Sequence, residues 1–152
     1  MGRVIPVAIA LGSNIGDRRA HLDYAVGRLS GILRHLLVSS FHDTEPVRVP
    51  AQRAFLNGAV SGETALDARD LLATLQLIER ERGRERPFTG APRTLDLDLI
   101  LFGSAVIDAP GLKVPHPRFR ERLFVLAPLA EIAPAMRDPV TGCTIAELRA
   151  RL

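Results

Sequence analysis

Apolar runs of strand length near residues 4–11, 36–44, 55–63 and 95–101, with helix-period segments after the first and the third, give the order βαββαβ. The second and third runs are joined without a helix, as in a hairpin. Both helices carry an apolar stripe that one sheet face can bury. These observations predict an α+β, ferredoxin-like sandwich with an antiparallel sheet, extra C-terminal strand and helical elements, and an opposite sheet face left free for ligands.

The elements follow in chain order. Val4 to Leu11 is nearly all apolar, and Gly12-Ser13-Asn14-Ile15-Gly16-Asp17 then supplies turn chemistry, with Asp17 as helix N-cap. Leu22, Val26, Leu29 and Leu33 fall at helical spacing, so a helix is expected from Arg18 to Arg34. Leu36 to Thr44 reads as a second strand, Glu45 to Ala54 as a loop long enough to be functional, and Phe55 to Glu63 as a third strand. On that strand Phe55 and Asn57 share a face, a ring and an amide suited to a flat, polar heterocycle. Asp67 to Arg82 is the second helix, with Leu71, Leu72, Leu75 and Ile78 toward the core. Toward the C-terminus, Pro128 is expected to open a short helix that stops before Pro134, and Thr144 with Glu147 makes a capping box.

Length and composition bound the function. A chain of 152 residues, 47% apolar and 24% charged, is sized for one domain spanning 1–152. No apolar run approaches a membrane span, and Val4 to Leu11 ends in Gly-Ser-Asn instead of a small-residue cleavage site. A cytoplasmic monomer with no membrane partner is therefore expected. Cys143 is the only cysteine, which excludes an internal disulfide and zinc-type spacing. Lys113 is the only lysine among 20 basic residues, and no Gly-x-x-x-x-Gly-Lys-Ser/Thr run occurs, so any nucleotide site must use arginine forks and loop amides.

The fourth strand carries the chemistry. In Leu95-Asp96-Leu97-Asp98-Leu99-Ile100-Leu101 alternation places the leucines on one side and both carboxylates on the other, roughly 6.6 Å apart at Cα. At about 5 Å and an effective dielectric of about 20 they repel by roughly 3 kcal/mol before screening. A solvated strand face would tolerate this, whereas Mg2+ would turn repulsion into attraction, since it is held by one or two carboxylates and completes its shell with water and phosphate oxygens. The preceding segment, Gly83 to Arg93, brings Arg84, Arg86 and Arg93 to that strand, as a polyphosphate beside a metal requires. Beyond it, Val114-Pro115-His116-Pro117 holds His116 in an extended turn, followed by Arg118, Arg120, Arg122 and Phe124.

In these residues the chain resembles the 6-hydroxymethyl-7,8-dihydropterin pyrophosphokinases of folate biosynthesis. The resemblance rests on Ala10-Leu11-Gly12-Ser13-Asn14, Phe55-Leu56-Asn57, Gly83-Arg84-Glu85-Arg86, Ala91 through Asp98, and Val114-Pro115-His116-Pro117 through Arg122 and Phe124. It implies a ferredoxin-like fold, two Mg2+ ions, and transfer of pyrophosphate from ATP to the pterin hydroxymethyl group with release of AMP. It further implies that Asp96 and Asp98 hold the metals and that Arg84, Arg93, Asp96 and Asp98 are catalytic. Gln76, Glu79, Arg84, Arg86, Arg93, Leu99, His116 and Arg122 would line the ATP site, and Thr44, Phe55, Asn57 and Phe124 would bind the pterin. Thr89-Gly90 stands where many members carry Arg-Trp, Arg48 and Arg53 replace a frequent Gly and Pro, and Lys113 stands where some carry a small hydroxyl residue.

A basic pI near 9.9 on a four-stranded sheet also suits an RNA-binding module. Only six Phe and one Tyr occur, however, and no strand carries the Lys/Arg-Gly-Phe/Tyr-x-Phe stacking pattern. No nucleic-acid partner is expected. A magnesium phosphotransferase acting on a different alcohol is the alternative enzyme.

Overall fold

A computed structural model describes residues 3–44, 54–83 and 94–152. Of the loop expected from Glu45 to Ala54, residues 45–53 lie outside the described residues, as do residues 84–93 of the arginine segment expected from Gly83 to Arg93. Strand β1 (Ile5–Ser13) leads into helix α1 (Arg18–Ser30), whose N-cap Asp17 accepts the Ala20 amide at 3.1 Å. Strands β2 (Arg34–Val38), β3 (His42–Thr44) and β4 (Phe55–Thr64) precede helix α2 (Ala68–Glu81), capped by Asp67. Strand β5 (Asp96–Phe102), a hairpin of β6 (Ile107–Ala109) and β7 (Leu112–Val114), a 3-10 turn at Phe119–Glu121, and helices α3 (Leu123–Ile132) and α4 (Ile145–Ala150) complete the chain. Among the described residues no helix is long and apolar enough to cross a membrane.

The sheet order is β2-β4-β1-β5, antiparallel, with β3 also on β4. Because β2 and β3 are two parts of one edge, this is the ferredoxin-like order. The second strand was expected to be continuous from Leu36 to Thr44. It breaks at Ser39, whose amide donates to the Ala59 carbonyl while its hydroxyl accepts the Ala59 amide, both at 2.9 Å, a side chain replacing a ladder group. The first helix likewise stops at Ser30 instead of Arg34. Gly31 closes it, and the amides of Ile32 and Leu33 turn back to the Leu29 carbonyl, so Leu33 reaches the core from a turn.

Two apolar layers flank the sheet. Leu22, Leu29, Leu71, Leu75 and Ile78 of α1 and α2 pack against Ile9, Val60, Leu97 and Leu99 on one face. The other face is not wholly free, contrary to expectation: Val125, Leu126 and Leu129 of α3, with Ile145 and Leu148 of α4, cover Ala8, Ala10, Ala59 and Ile100. Alanines there let a helix lie close to the backbone. Leu101 was expected beside Leu95, Leu97 and Leu99, but the β1–β5 register shifts between Ala8 and Ile9, which sends both Ile100 and Leu101 to the α3 face and Phe102 to the other. Pro128 lies inside α3 rather than opening it, because the Arg122 carbonyl already accepts the Val125 and Leu126 amides one turn earlier.

Candidate active site

Beyond the end of the α3 and α4 cover, the sheet face carries a row of small and polar groups. Gly12 of β1 lies opposite Asn57 of β4 on one side and Asp96 of β5 on the other, and Asp98 lies opposite Ala10. With strands about 4.8 Å apart, Asn57 and Asp96 stand about 10 Å apart across a residue that has no side chain. A methyl group at Gly12 would sit 3.2 Å from Asn57 Oδ1 and 3.5 Å from Phe55 Cδ1, so the bare backbone there is a floor between the amide and the carboxylates.

The β3–β4 end of this floor is preset. Asn57 Nδ2 donates to Thr44 Oγ1 at 2.6 Å, and Thr44 Oγ1 donates to the Phe55 carbonyl at 3.3 Å. The amide is thereby oriented with Oδ1 over Gly12. Arg18, at the start of α1, holds the same end by donating to the Ala54 carbonyl at 2.8 Å and pairing with Asp43 at 2.7 Å.

Asp96 and Asp98 are half-buried and share this face, as their spacing predicted, while Leu97 between them is buried in the α1–α2 layer. Strand β5 is the outer strand among the described residues, and its outer edge borders a cavity of about 270 Å³ lined by Leu72, Leu97, Asp98, Leu99, Lys113 and His116 among others. Above that edge, Leu72, Gln76 and Glu79 form one stripe of α2 at i, i+4 and i+7. Gln76 is exposed. Glu79 is buried, and its Oε2 accepts the Leu97 amide at 2.7 Å.

His116 closes the cavity from the far side, tied to β5 by its amide, which donates to the Ile100 carbonyl at 2.9 Å. Its Nδ1 accepts the Arg118 amide at 3.2 Å, so the neutral ring carries its proton on Nε2 and can only donate there. Burial, reinforced by the nearby Arg122 and Arg118 charges and opposed by Asp96, pushes the ring below the usual histidine range. Arg122 lies over the Phe124 ring, 5.6 Å from its centroid, and Phe124 is exposed at the start of α3.

The structure thus brings Thr44, Phe55, Asn57, Asp96 and Asp98 to one sheet face, and Asp98, Leu99 and His116 to one cavity at its edge. Arg84, Arg86 and Arg93 lie outside the described residues, as do Arg48, Arg53 and Thr89-Gly90. Sequence reasoning did not single out Leu72, Gly111, Leu112 or Pro117 as cavity lining, nor Gly12 as the floor. For Gly12 a signal existed, since a glycine ending an otherwise apolar strand marks a close approach.

Fold and site together define a ferredoxin-like domain with a small-molecule cleft, in which a carboxylate pair separates an edge cavity from an amide-and-aromatic platform. The chain belongs to the 7,8-dihydro-6-hydroxymethylpterin-pyrophosphokinase family, whose model matches residues 8–134. It is 48% identical over 136 residues to the 2-amino-4-hydroxy-6-hydroxymethyldihydropteridine pyrophosphokinase of Bacillus subtilis, covering 88% of this chain and 81% of that one. The Pseudomonas aeruginosa enzyme of the same name is 42% identical over 135 residues, covering 88% and 83%. A crystal structure of wild-type Plasmodium falciparum HPPK-DHPS shares the fold at a TM-score of 0.78 and 13% identity, over 99% of this chain and 45% of that one. The chain therefore spans under half the length of that protein.

Proposed function

We propose that this pyrophosphokinase transfers pyrophosphate from ATP to the hydroxymethyl group of 6-hydroxymethyl-7,8-dihydropterin, releasing AMP, in folate biosynthesis. The observation that carries this reading is the register that places Asp96 and Asp98 between the edge cavity and the Asn57 platform. Two sites of different character then meet at one pair of carboxylates.

The adenine side belongs in the cavity, where Leu72, Leu97, Leu99 and Leu112 offer apolar walls. The phosphates run toward Asp98 and His116, whose Nε2 donates to an oxygen, with Arg122 nearby. Arg84, Arg86 and Arg93 complete the cationic forks in this reading. On the platform a planar pterin lies over Gly12, with Asn57 Oδ1 accepting from its N–H edge and the rings of Phe55 and Phe124 beside it.

The alcohol oxygen bonds to the β-phosphorus of ATP as the bond from that phosphorus to the α,β-bridging oxygen breaks. The pyrophosphoryl group moves to the pterin alcohol, AMP departs with the bridging oxygen, and the alcohol proton passes to solvent. What the protein supplies is positioning and charge neutralisation. Asp96 and Asp98 fit Mg2+ as hard oxygen donors on a half-exposed face, and two ions bound there would neutralise phosphate charge.

The test incubates the protein with ATP, Mg2+ and hydroxymethyl-dihydropterin and quantifies AMP against a mixture lacking the acceptor. Acceptor-dependent AMP with equimolar pterin pyrophosphate is expected. AMP formed equally without the pterin would overturn the assignment.

A further inference from the structure

Past the residues matched by the family model, the chain makes a tight turn built on one carboxylate. Asp138 is fully buried and accepts four hydrogen bonds: Arg120 Nε at 2.5 Å, Arg120 Nη2 at 2.9 Å, the Val140 amide at 3.0 Å and the Thr141 hydroxyl at 2.7 Å. The Asp138 amide donates to the Cys143 carbonyl and the Gly142 amide to the Asp138 carbonyl, both at 2.8 Å. This turn is anchored in turn to α4, since the Ile145 amide reaches the Met136 carbonyl at 2.9 Å and Ile145 and Leu148 lie in the core. Asp138 is therefore a fixed point of the body.

Arg120 lies in the short segment that carries His116 at one end and Arg122 at the other. Its guanidinium stacks on Phe119, 4.9 Å from the ring centroid, and Phe119 is fully buried. A buried ion pair is weak evidence for stability, because well-packed apolar residues often serve as well. What a two-pronged arginine fork adds is direction: it fixes the plane and distance of the segment that bears it.

We infer that Asp138, acting through Arg120, is a positioning residue that sets where the His116–Arg122 segment meets the nucleotide phosphates. The inference rests on reading that segment as part of the ATP site.

The test measures binding of the non-cleavable α,β-methylene analogue of ATP with Mg2+ by calorimetry, and KM for each substrate. The variants are Asp138→Asn and the double variant Arg120→Met with Asp138→Asn. The double variant leaves no unpaired buried charge, so a merely structural role predicts recovery of wild-type affinity. Positioning predicts that the analogue binds about tenfold more weakly to both variants, the worth of one charge-assisted hydrogen bond, with the pterin KM held within about twofold. Analogue affinity equal to wild type in the folded double variant, or an equal rise in pterin KM, would overturn the inference. If the double variant does not fold, Arg120→Lys keeps the charge but loses the fork. It should weaken the analogue selectively, and unchanged affinity overturns the inference. Wild-type protein that binds the analogue but forms no AMP overturns the assigned reaction alone.

Discussion

The buried carboxylate of Glu79 accepts the amide of Leu97 at 2.7 Å, so helix α2 grips the outer strand at the one residue between Asp96 and Asp98. An edge strand presents amides without a neighbouring strand, and this bond satisfies one of them while fixing the pleat that turns both aspartates to the same face. Glu79→Ala should lower stability by about 1–3 kcal/mol, the cost of stranding a buried donor, and raise the Mg2+ concentration for half-maximal AMP formation. Glu79→Gln keeps an acceptor and should do less of both. Urea unfolding with a Mg2+ titration checks the pair, and an Ala variant with an unshifted Mg2+ requirement would detach Glu79 from the aspartates.

Gly12→Ala tests the floor between Asn57 and Asp96. The added methyl, 3.2 Å from Asn57 Oδ1, demands a displacement of a few tenths of an ångström, which the fold can absorb but a stacked ring cannot. The pterin KM should rise by about tenfold while the ATP KM moves little. Equal changes in both constants would place the pterin elsewhere.

The element order and the aspartate pair were legible because each rests on local periodicity: alternate residues of a strand face one way whatever covers them. Leu101 was not, because its side depends on a bulge set by pairing with Ala8 and Ile9, and a single strand's sequence carries no trace of its partner's register. The break at Ser39 was hidden for a related reason, since the serine hydroxyl replaces a ladder group only once Ala59 lies opposite. Asp138 carried no signal of its own in the sequence. Its role depends on Arg120, 18 positions away, and tertiary hydrogen bonds leave no spacing signature.

Asp96→Asn and Asp98→Asn remove charge and keep shape. Each should cut acceptor-dependent AMP formation by at least roughly a hundredfold, as loss of a preorganised electrostatic group does, while leaving cooperative unfolding intact because both side chains are half-exposed. Steady-state AMP release and a thermal melt of each variant decide it. Near-wild-type turnover in Asp98→Asn would remove the carboxylate pair from the mechanism.

Asp138 also makes the fold acid-sensitive in a way that can be isolated. Burial alone would raise its carboxyl above the ordinary value of 3.8, but the Arg120 fork, the Thr141 hydroxyl and the Val140 amide outweigh it and hold the group at about 2. A carboxyl depressed in the folded state contributes stability that is present above its unfolded value and is lost as pH falls toward the folded one, here between about 4 and 2. The shift corresponds to about 2 kcal/mol. Glu81, Glu131 and Glu147 are depressed as well, so they steepen the same acid limb and remain in any Asp138 variant. Asp138→Asn should therefore be less stable than wild type at pH 7, and the gap should narrow as pH drops from 4 to 2, measured as urea midpoints at each pH. A gap that stays constant across that window would mean that the carboxylate charge contributes nothing, and that only the shape of the turn matters.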